Sequence, residues 1–491
     1  MWTLMVFAVE PTSSIDRLVT HSVTNLSKCT WLPLMGRLFS MEDARRFSDE
    51  LARRPRFDRQ ERLRHRLYEP LCMLWMLDPS TGHGLTDSIH SIERPHDDRQ
   101  SGMWRSFLDA LSWFGDHKHG GASVTAVAAE RDHDAVHFWV CSRSHSSAGN
   151  ISRVLSECSL VSGSHDDELF SRTLERVIAM GIWFARDRVK SYQRELSYHL
   201  GKATGSAETQ DEPRLQTAAA NMEEILRFLQ SESPNQASFC RMAYALGSSL
   251  DLKLLSTNTR AALQTSHWAK VRHCVARLGS WRRKAGIVLR FARQFPHLFT
   301  DCSSSFLPLS NMQRLPLSDD KTNLRSILTR MLPAGSGDRV EELYEQIIGF
   351  RGLDFEHKFR ELYSNQDTRL MAHAETFLLE HFYFQHLPYV WRDKYIGCSK
   401  PSCYCCHLYQ RFHPDNPVLR PAHGTAWHRW AAPIIIDKDM DREKWRHHLA
   451  IVNKMNEHIR RDVLAEIRNR MPRRERVCDA TSKVTSDGSV S

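Results

Sequence analysis

The sequence predicts an α+β fold in which strand-bearing segments stand on either side of a long helical stretch. Three observations carry this expectation. Two runs rich in Val, Ala and aromatics, 122–129 and 135–141, flank the charged turn Glu130-Arg-Asp-His-Asp134, the pattern of an antiparallel hairpin. From 151 to about 363 the apolar residues recur with helical period. From His373 to Asp437 the pattern then reads helix, strand, helix, strand.

The elements follow in order. Residues 36–77 read as helix in two pieces broken near Pro55, because Leu38, Phe39, Ala44, Phe47 and Leu51, then Leu63, Leu67 and Leu71, recur at helical spacing among charges. The stretch 79–102 is loop-like, and a short helix follows over 103–114. Beyond the hairpin, 166–200, 215–230 and 258–295 read as amphipathic helices. Breaks fall at 201–213, 231–235, 296–320 and 333–337, where Gly, Pro, Ser and charged turn formers gather. No repeat of fixed period is present. A helix is expected to open near His373, a strand over 389–396, a second helix near Cys403 and a strand over 432–437. In 441–470, Trp445, Leu449, Val452, Met455, Ile459, Val463 and Ile467 form an apolar stripe that should dock. The tail 473–491 is polar and expected to be disordered. The organisation expected is therefore a helical region over 1–115, the hairpin over 116–145, helices over 146–365, the segment bearing the chemistry over 366–472, and the tail.

A chain of 491 residues exceeds the size at which single cores stop growing. Its formal charge of 67 − 58 = +9 is a mild excess that favours an anionic partner without demanding one. More than half of that excess falls in 441–476, where 11 Lys and Arg face 6 Asp and Glu, either as a phosphate-tracking surface or as a solvated helix face. Twelve cysteines are too sparse for a disulfide scaffold, and four of them crowd into 398–406, which reads as a metal or redox site in a reducing compartment. No stretch approaches the roughly 18 apolar residues of a membrane span. The expectation is a soluble intracellular protein without a membrane partner.

The chemistry concentrates in two short phrases. Met371-Ala-His-Ala-Glu375 stands about 30 residues ahead of Cys403-Tyr-Cys-Cys406. One imidazole and two thiolates suit tetrahedral Zn²⁺, and three protein ligands leave a fourth position for water. If Cys403 and Cys406 open a helix, both sulfurs lie on one face and the helix N-terminus favours their thiolates. Zinc lowers the pKa of a bound water from 15.7 towards roughly 7, and Glu375, two residues past His373, is placed to move the protons. The rival is a closed structural zinc, with Cys398, Cys405, His407 or His413 as fourth ligand. A thioredoxin-like Cys-x-x-Cys fits less well, because it needs no upstream His-x-Glu and belongs near the start of a βαβ pattern.

His373-Ala-Glu375 and Pro401-Ser-Cys403-Tyr-Cys-Cys406 resemble the His-x-Glu and Pro-Cys-x-x-Cys motifs of the zinc-dependent nucleic-acid and nucleotide deaminases. With Ile396-Gly-Cys-Ser-Lys-Pro401, His423-Gly424 and Trp430 added, the chain is most similar to the OTT-like deaminases, a large and mostly fungal branch. The resemblance implies a cytidine-deaminase-like three-layer core, its first two strands at 122–141, a large all-helical insertion, and a helical region before it. It implies Zn²⁺ on His373, Cys403 and Cys406, Glu375 as catalytic acid and base, and hydrolytic deamination of a base in a nucleoside, nucleotide or nucleic acid. His423 takes a place near the substrate through its His-Gly context. The aromatic cluster Phe382, Tyr383, Phe384, Tyr389 and Trp391 reads either as core packing or as a surface that stacks a base, and Trp391 is the one to test for stacking. One position departs from the pattern: Ser402, not proline, precedes the first ligand cysteine. The alternative is an inactive deaminase-fold interaction protein that keeps its zinc as scaffold.

Overall fold

The structure, a computed structural model, describes residues 59–77, 99–133, 135–204, 213–232, 235–257, 267–309, 312–350, 354–365, 367–433 and 441–469. The expected helix before Pro55, most of the expected loop at 79–102, most of the expected strand at 432–437 and the tail lie outside the described residues. Two units divide the chain, Met1–Arg62 and Leu63–Ser491. Of the first, only Arg59–Arg62 are described, as helix.

Helices α1 (Arg59–Leu77) and α2 (Arg99–Trp113) precede the hairpin of β1 (Ala126–Asp132) and β2 (Ala135–Ser142). The strands pair antiparallel from Ala126↔Cys141 to Asp132↔Ala135, so the turn is two residues long and tighter than the five-residue spacer in the sequence suggests. His133 takes the left-handed φ of 51° that such a turn requires. The 3.6-residue period then gives α3 (His145–Val161), α4 (Asp167–Phe184), α5 (Arg186–Thr204), α6 (Pro213–Glu232), α7 (Gln236–Leu246), α8 (Leu250–Thr257) and α9 (His267–Gln294). The single helix expected over 166–200 is two helices parted at Ala185. The apolar period runs on across the break, so the sequence pattern does not register it.

A larger correction concerns the expectation of an all-helical stretch. Residues 302–308 form β3 (Cys302–Pro308), which runs parallel to β2 from Val136↔Cys302 to Ser142↔Pro308. Its Ser-rich strand is only partly buried, as suits an edge, and carries no apolar alternation to announce it. After β4 (Met312–Arg314) come α10 (Leu324–Met331), α11 (Gly337–Ile348) and α12 (Phe355–Ser364), and β5 (Arg369–Met371) pairs antiparallel with β4. Then follow α13 (Ala374–Phe384), β6 (Gly397–Cys398), α14 (Tyr404–Phe412) and α15 (Arg442–Asn469).

The mixed sheet has the order β3-β2-β1-β6. Pleat alternation sends Val127, Ala129, Phe138 and Val140 to one face, among α2, α3 and α9, and Ala126, Ala128 and Cys141 to the other, against Leu378, Leu379 and Phe382 of α13. Helices therefore cover both faces. β6 joins β1 through Ala126↔Cys398 and Val127↔Gly397, so the hairpin shares a sheet with the Cys-rich segment across more than 250 residues. The strand expected over 389–396 is not one. Val390–Arg392 is a 3₁₀ turn in which Trp391 and Arg392 hold φ values of 55° and 58°. Its apolar residues mimic a strand because they are buried on two different sides: Val390 and Tyr395 among α2 and its neighbours, Tyr389 and Ile396 against α13. Gly397 then lies so close to α2 that a Cβ would stand 2.4 Å from the carbonyl carbon of Leu108.

The apolar stripe of α15 docks as its spacing predicts. Val452, Met455, Ile459, Val463 and Ile467 are buried in one cluster with Tyr404, Leu408 and Tyr409 of α14 and with α1, while Arg442, Arg446, Arg461 and Arg468 are exposed. Among the described residues no helix is long and apolar enough to cross a membrane.

Candidate metal centre

Two helix N-termini bring the donors together. His373 is the N-cap of α13 and Cys403 the N-cap of α14. The Cys403 sulfur accepts the Cys406 amide at 3.5 Å, a capping bond that fixes both cysteines on the first turn. His373 Nδ1 lies 3.2 Å from Cys406 Sγ and 3.5 Å from Cys403 Sγ. Tetrahedral zinc, with Zn–S near 2.3 Å and Zn–N near 2.0–2.1 Å, would hold a nitrogen about 3.6 Å from each sulfur. The donor set therefore fits that metal in kind and in spacing. Cys403 and Cys406 are buried and His373 is half-buried.

Electrostatics prepares the sulfur. Burial opposes both charges, yet the hydrogen bond from Cys406 and the charge on His373 bring the Cys403 thiol down to about 5. Burial likewise opposes the imidazolium of His373, and the Cys403 thiolate beside it raises the ring to about 9. The direction of the Cys403 shift favours the thiolate, the form a metal binds. Cys406 is pushed up, first by burial and then by Cys403. Trp430 Nε1 donates to Cys406 Sγ at 3.3 Å. Met371 N–H donates to Arg429 O, and Met371 O accepts from Ala431 N–H, which brings the Trp430 segment alongside the strand that leads into His373.

Glu375 sits in the first turn of α13, 3 % exposed. Cys398 Sγ donates to its Oε2 at 3.9 Å, and burial keeps that thiol protonated. The backbone of Cys398 is gripped from both sides: Asp109 Oδ1 accepts its N–H at 3.1 Å, and Arg420 Nη2 donates to its carbonyl at 2.9 Å. Asp109 also receives Arg420 Nη2 at 2.9 Å and the Tyr395 hydroxyl at 2.7 Å. Sequence reading missed this clamp and the bond from Trp430. Only Trp430 and Cys398 left a trace, as parts of the phrases that carry the resemblance.

Ser402 has a structural reason to differ from proline. Its N–H donates to Pro421 O and its carbonyl accepts from His423 N–H, each at 3.0 Å. Proline would lack the first donor. His423 thus bonds the residue before Cys403, with its Nδ1 accepting the Thr425 amide at 3.2 Å. The structure does not bring Trp391 to the three donors: its ring packs on Trp104 and Phe295, with the α2 face of the sheet. Of the rival fourth ligands, none of Cys398, Cys405, His407 and His413 belongs to the group of converging donors among the described residues.

His413 belongs to a second buried convergence, with Glu380 and His447. Tyr409 donates to Glu380 Oε1 at 2.5 Å, and His447 Nε2 lies 3.1 Å from the same oxygen. The Asp415 amide donates to His413 Nδ1 at 3.1 Å, and His413 Nε2 lies 3.2 Å from Glu380, facing its carboxylate at ion-pair distance. The cluster ties α13, α14 and α15 together.

Residues 372–434 match the family model described as OTT_1508_deam-like deaminase. No curated protein and no solved structure matches the chain. The matched segment contains His373, Glu375, Cys403, Cys406 and Trp430, and so spans the whole candidate centre.

Proposed function

We propose that this protein is a zinc-dependent hydrolytic deaminase acting on a nucleobase in a nucleoside, nucleotide or nucleic acid. One observation carries the reading: three metal-suited donors converge on His373, Cys403 and Cys406, with a buried carboxylate, Glu375, in the same first helical turn, inside the segment that matches a deaminase family. Zinc, when bound there, supplies Lewis acidity towards water at neutral pH. Glu375 takes a proton from the attacking water and returns it, with the second, to the ring nitrogen and the departing amine, so that base–NH₂ and water become base–oxo and ammonia. Cys398 orients the Glu375 carboxylate, and Trp430 holds Cys406. In this reading β1, β2, β6, α13 and α14 form a cytidine-deaminase-like core, into which 146–365 is inserted and to which 366–472 supplies the chemistry.

The arrangement favours three ligands over four, which supports an open centre against a structural zinc. The test is ammonia release by the purified full chain from nucleosides, nucleotides and single-stranded RNA and DNA, alongside its zinc content. One zinc per chain with ammonia release supports the reading. A zinc-loaded chain that releases ammonia from none of these substrates replaces it with the non-catalytic interaction protein.

A further inference from the structure

The helices between the hairpin and the metal centre carry a face that the deaminase reading does not use. Helix α5 turns Val189, Tyr192 and Leu196 inward, and Arg188 reaches from the same side to Asp116, 3.3 Å from its Oδ2. Its other face is a stripe at helical spacing: Arg186, Lys190, Arg194 and Lys202 are exposed, with Asp187 as the one fully exposed acid. Glu195 is half-buried and 3.1 Å from His119. No acidic partner of the four cations is found among the described residues. Two exposed aromatic side chains accompany the stripe, Trp183 at 62 % at the end of α4 and Tyr198 at 59 % within α5, between Arg194 and Lys202. Burial would be the ordinary place for rings of that size. The guanidinium of Arg186 lies over the Trp183 ring at 5.3 Å.

The position of α5 ties it to the metal centre. Asp116 opens the loop that leads into β1, and the exposed Lys118 stands on that loop. Lys400 Nζ bonds Gly120 O in the same loop, and Thr125 N–H donates to Ser399 Oγ at 3.2 Å. This is the end of the sheet at which Ala126 faces Cys398, the partner of Glu375. Cations thus continue from α5 through Lys118 to Lys400, one strand away from the candidate centre.

We propose that the exposed face of α5, with Trp183 and Tyr198, binds single-stranded nucleic acid and delivers it to the metal centre. Phosphates meet the four cations, and unpaired bases stack on the two rings, which a duplex cannot offer them. The cationic stripe from Arg186 to Lys202 on α5 is about 24 Å long at 1.5 Å per residue, room for several nucleotides. The delivery step rests on the deaminase reading; the binding does not.

The test is fluorescence anisotropy of the full chain with labelled single-stranded RNA and DNA oligonucleotides of about 16 nucleotides. Trp183→Ala and Tyr198→Ala should each weaken binding about 5- to 150-fold, the effect of losing one stacked base. Lys190→Gln with Arg194→Gln should reduce the slope of log affinity against log salt by about 1.4, or 0.7 per phosphate contact. Unchanged affinity in all variants overturns the proposal. So does equal binding of duplex with no effect of Trp183→Ala, or stripe-dependent binding to phosphatidylserine vesicles as tight as to the oligonucleotides. The two readings fail separately. Stripe-dependent binding without ammonia release refutes the deaminase, and delivery with it, and leaves the binding standing. Ammonia release from oligonucleotides with a KM that the stripe variants leave unchanged refutes delivery alone.

Discussion

Replacing Trp430 by Phe removes one hydrogen bond from the metal centre and leaves every donor in place. The indole Nε1–H stands 3.3 Å from Cys406 Sγ, and the Trp430 side chain is fully buried. A hydrogen bond to a charged acceptor is worth about 1.5–3 kcal/mol. If it holds the thiolate for zinc, its loss weakens zinc affinity about 10- to 100-fold, the range typical for partners that orient a ligand from behind. The measurement is zinc competition against a chromophoric chelator, with wild type and Trp430→Phe side by side. Phe is smaller, and the void it leaves destabilises the fold whether or not metal is present, so thermal unfolding is measured with and without zinc. The zinc-dependent part of the stability isolates the hydrogen bond from the packing loss. A zinc affinity unchanged by Trp430→Phe, with the fold intact, would refute the role given to this contact.

Glu375→Gln should keep zinc and fold while lowering turnover by about 10²–10⁴-fold, read as ammonia release under single-turnover conditions; loss of zinc instead would make Glu375 part of the ligand shell. Gly397→Ala forces a Cβ to 2.4 Å from the Leu108 carbonyl carbon, so β6 must leave α2 and the chain should lose about 1–3 kcal/mol in chemical denaturation. Glu380 is buried, which opposes its charge, but hydrogen bonds from His413 and His447 carry its pKa from 4.5 down to about 2. A lowered folded pKa stabilises above the unfolded value, here by about 3 kcal/mol, and that contribution is lost as pH falls from about 4.5 to about 2. Acid titration of stability should therefore be shallower by one proton in Glu380→Gln, and an identical slope would show that the carboxylate is not ionised in the folded chain.

Much of the candidate centre was legible in the sequence because its donors are local. A helix N-cap and its first turn put Cys403 and Cys406 on one face by spacing alone, and His373 with Glu375 repeats the device on α13. The apolar stripe of α15 was equally plain, since its period is a property of one helix. The segment 389–396 was misread because burial, not backbone geometry, sets its pattern: its apolar residues serve two different sides. β3 left no pattern at all, being a partly exposed edge of serines that owes its strand conformation to the hydrogen bonds of β2.

What the sequence by itself determined was the chemistry available, one imidazole, two thiols and a carboxylate at helix-start spacing, and the helices whose period repeats within a single element. The tertiary structure decided which groups face one another. Asp109 and Arg420, 311 residues apart, hold Cys398 by its backbone; Cys398 turns its thiol to Glu375; Trp430 reaches Cys406; and His413, an eligible metal ligand by type, faces Glu380 and His447 instead of the three donors. The reason is physical: a backbone hydrogen bond or a helical stripe depends on residues a few places apart, whereas the partner of a buried polar group is whichever group the packing of distant elements brings within 3 Å, and no local pattern records that.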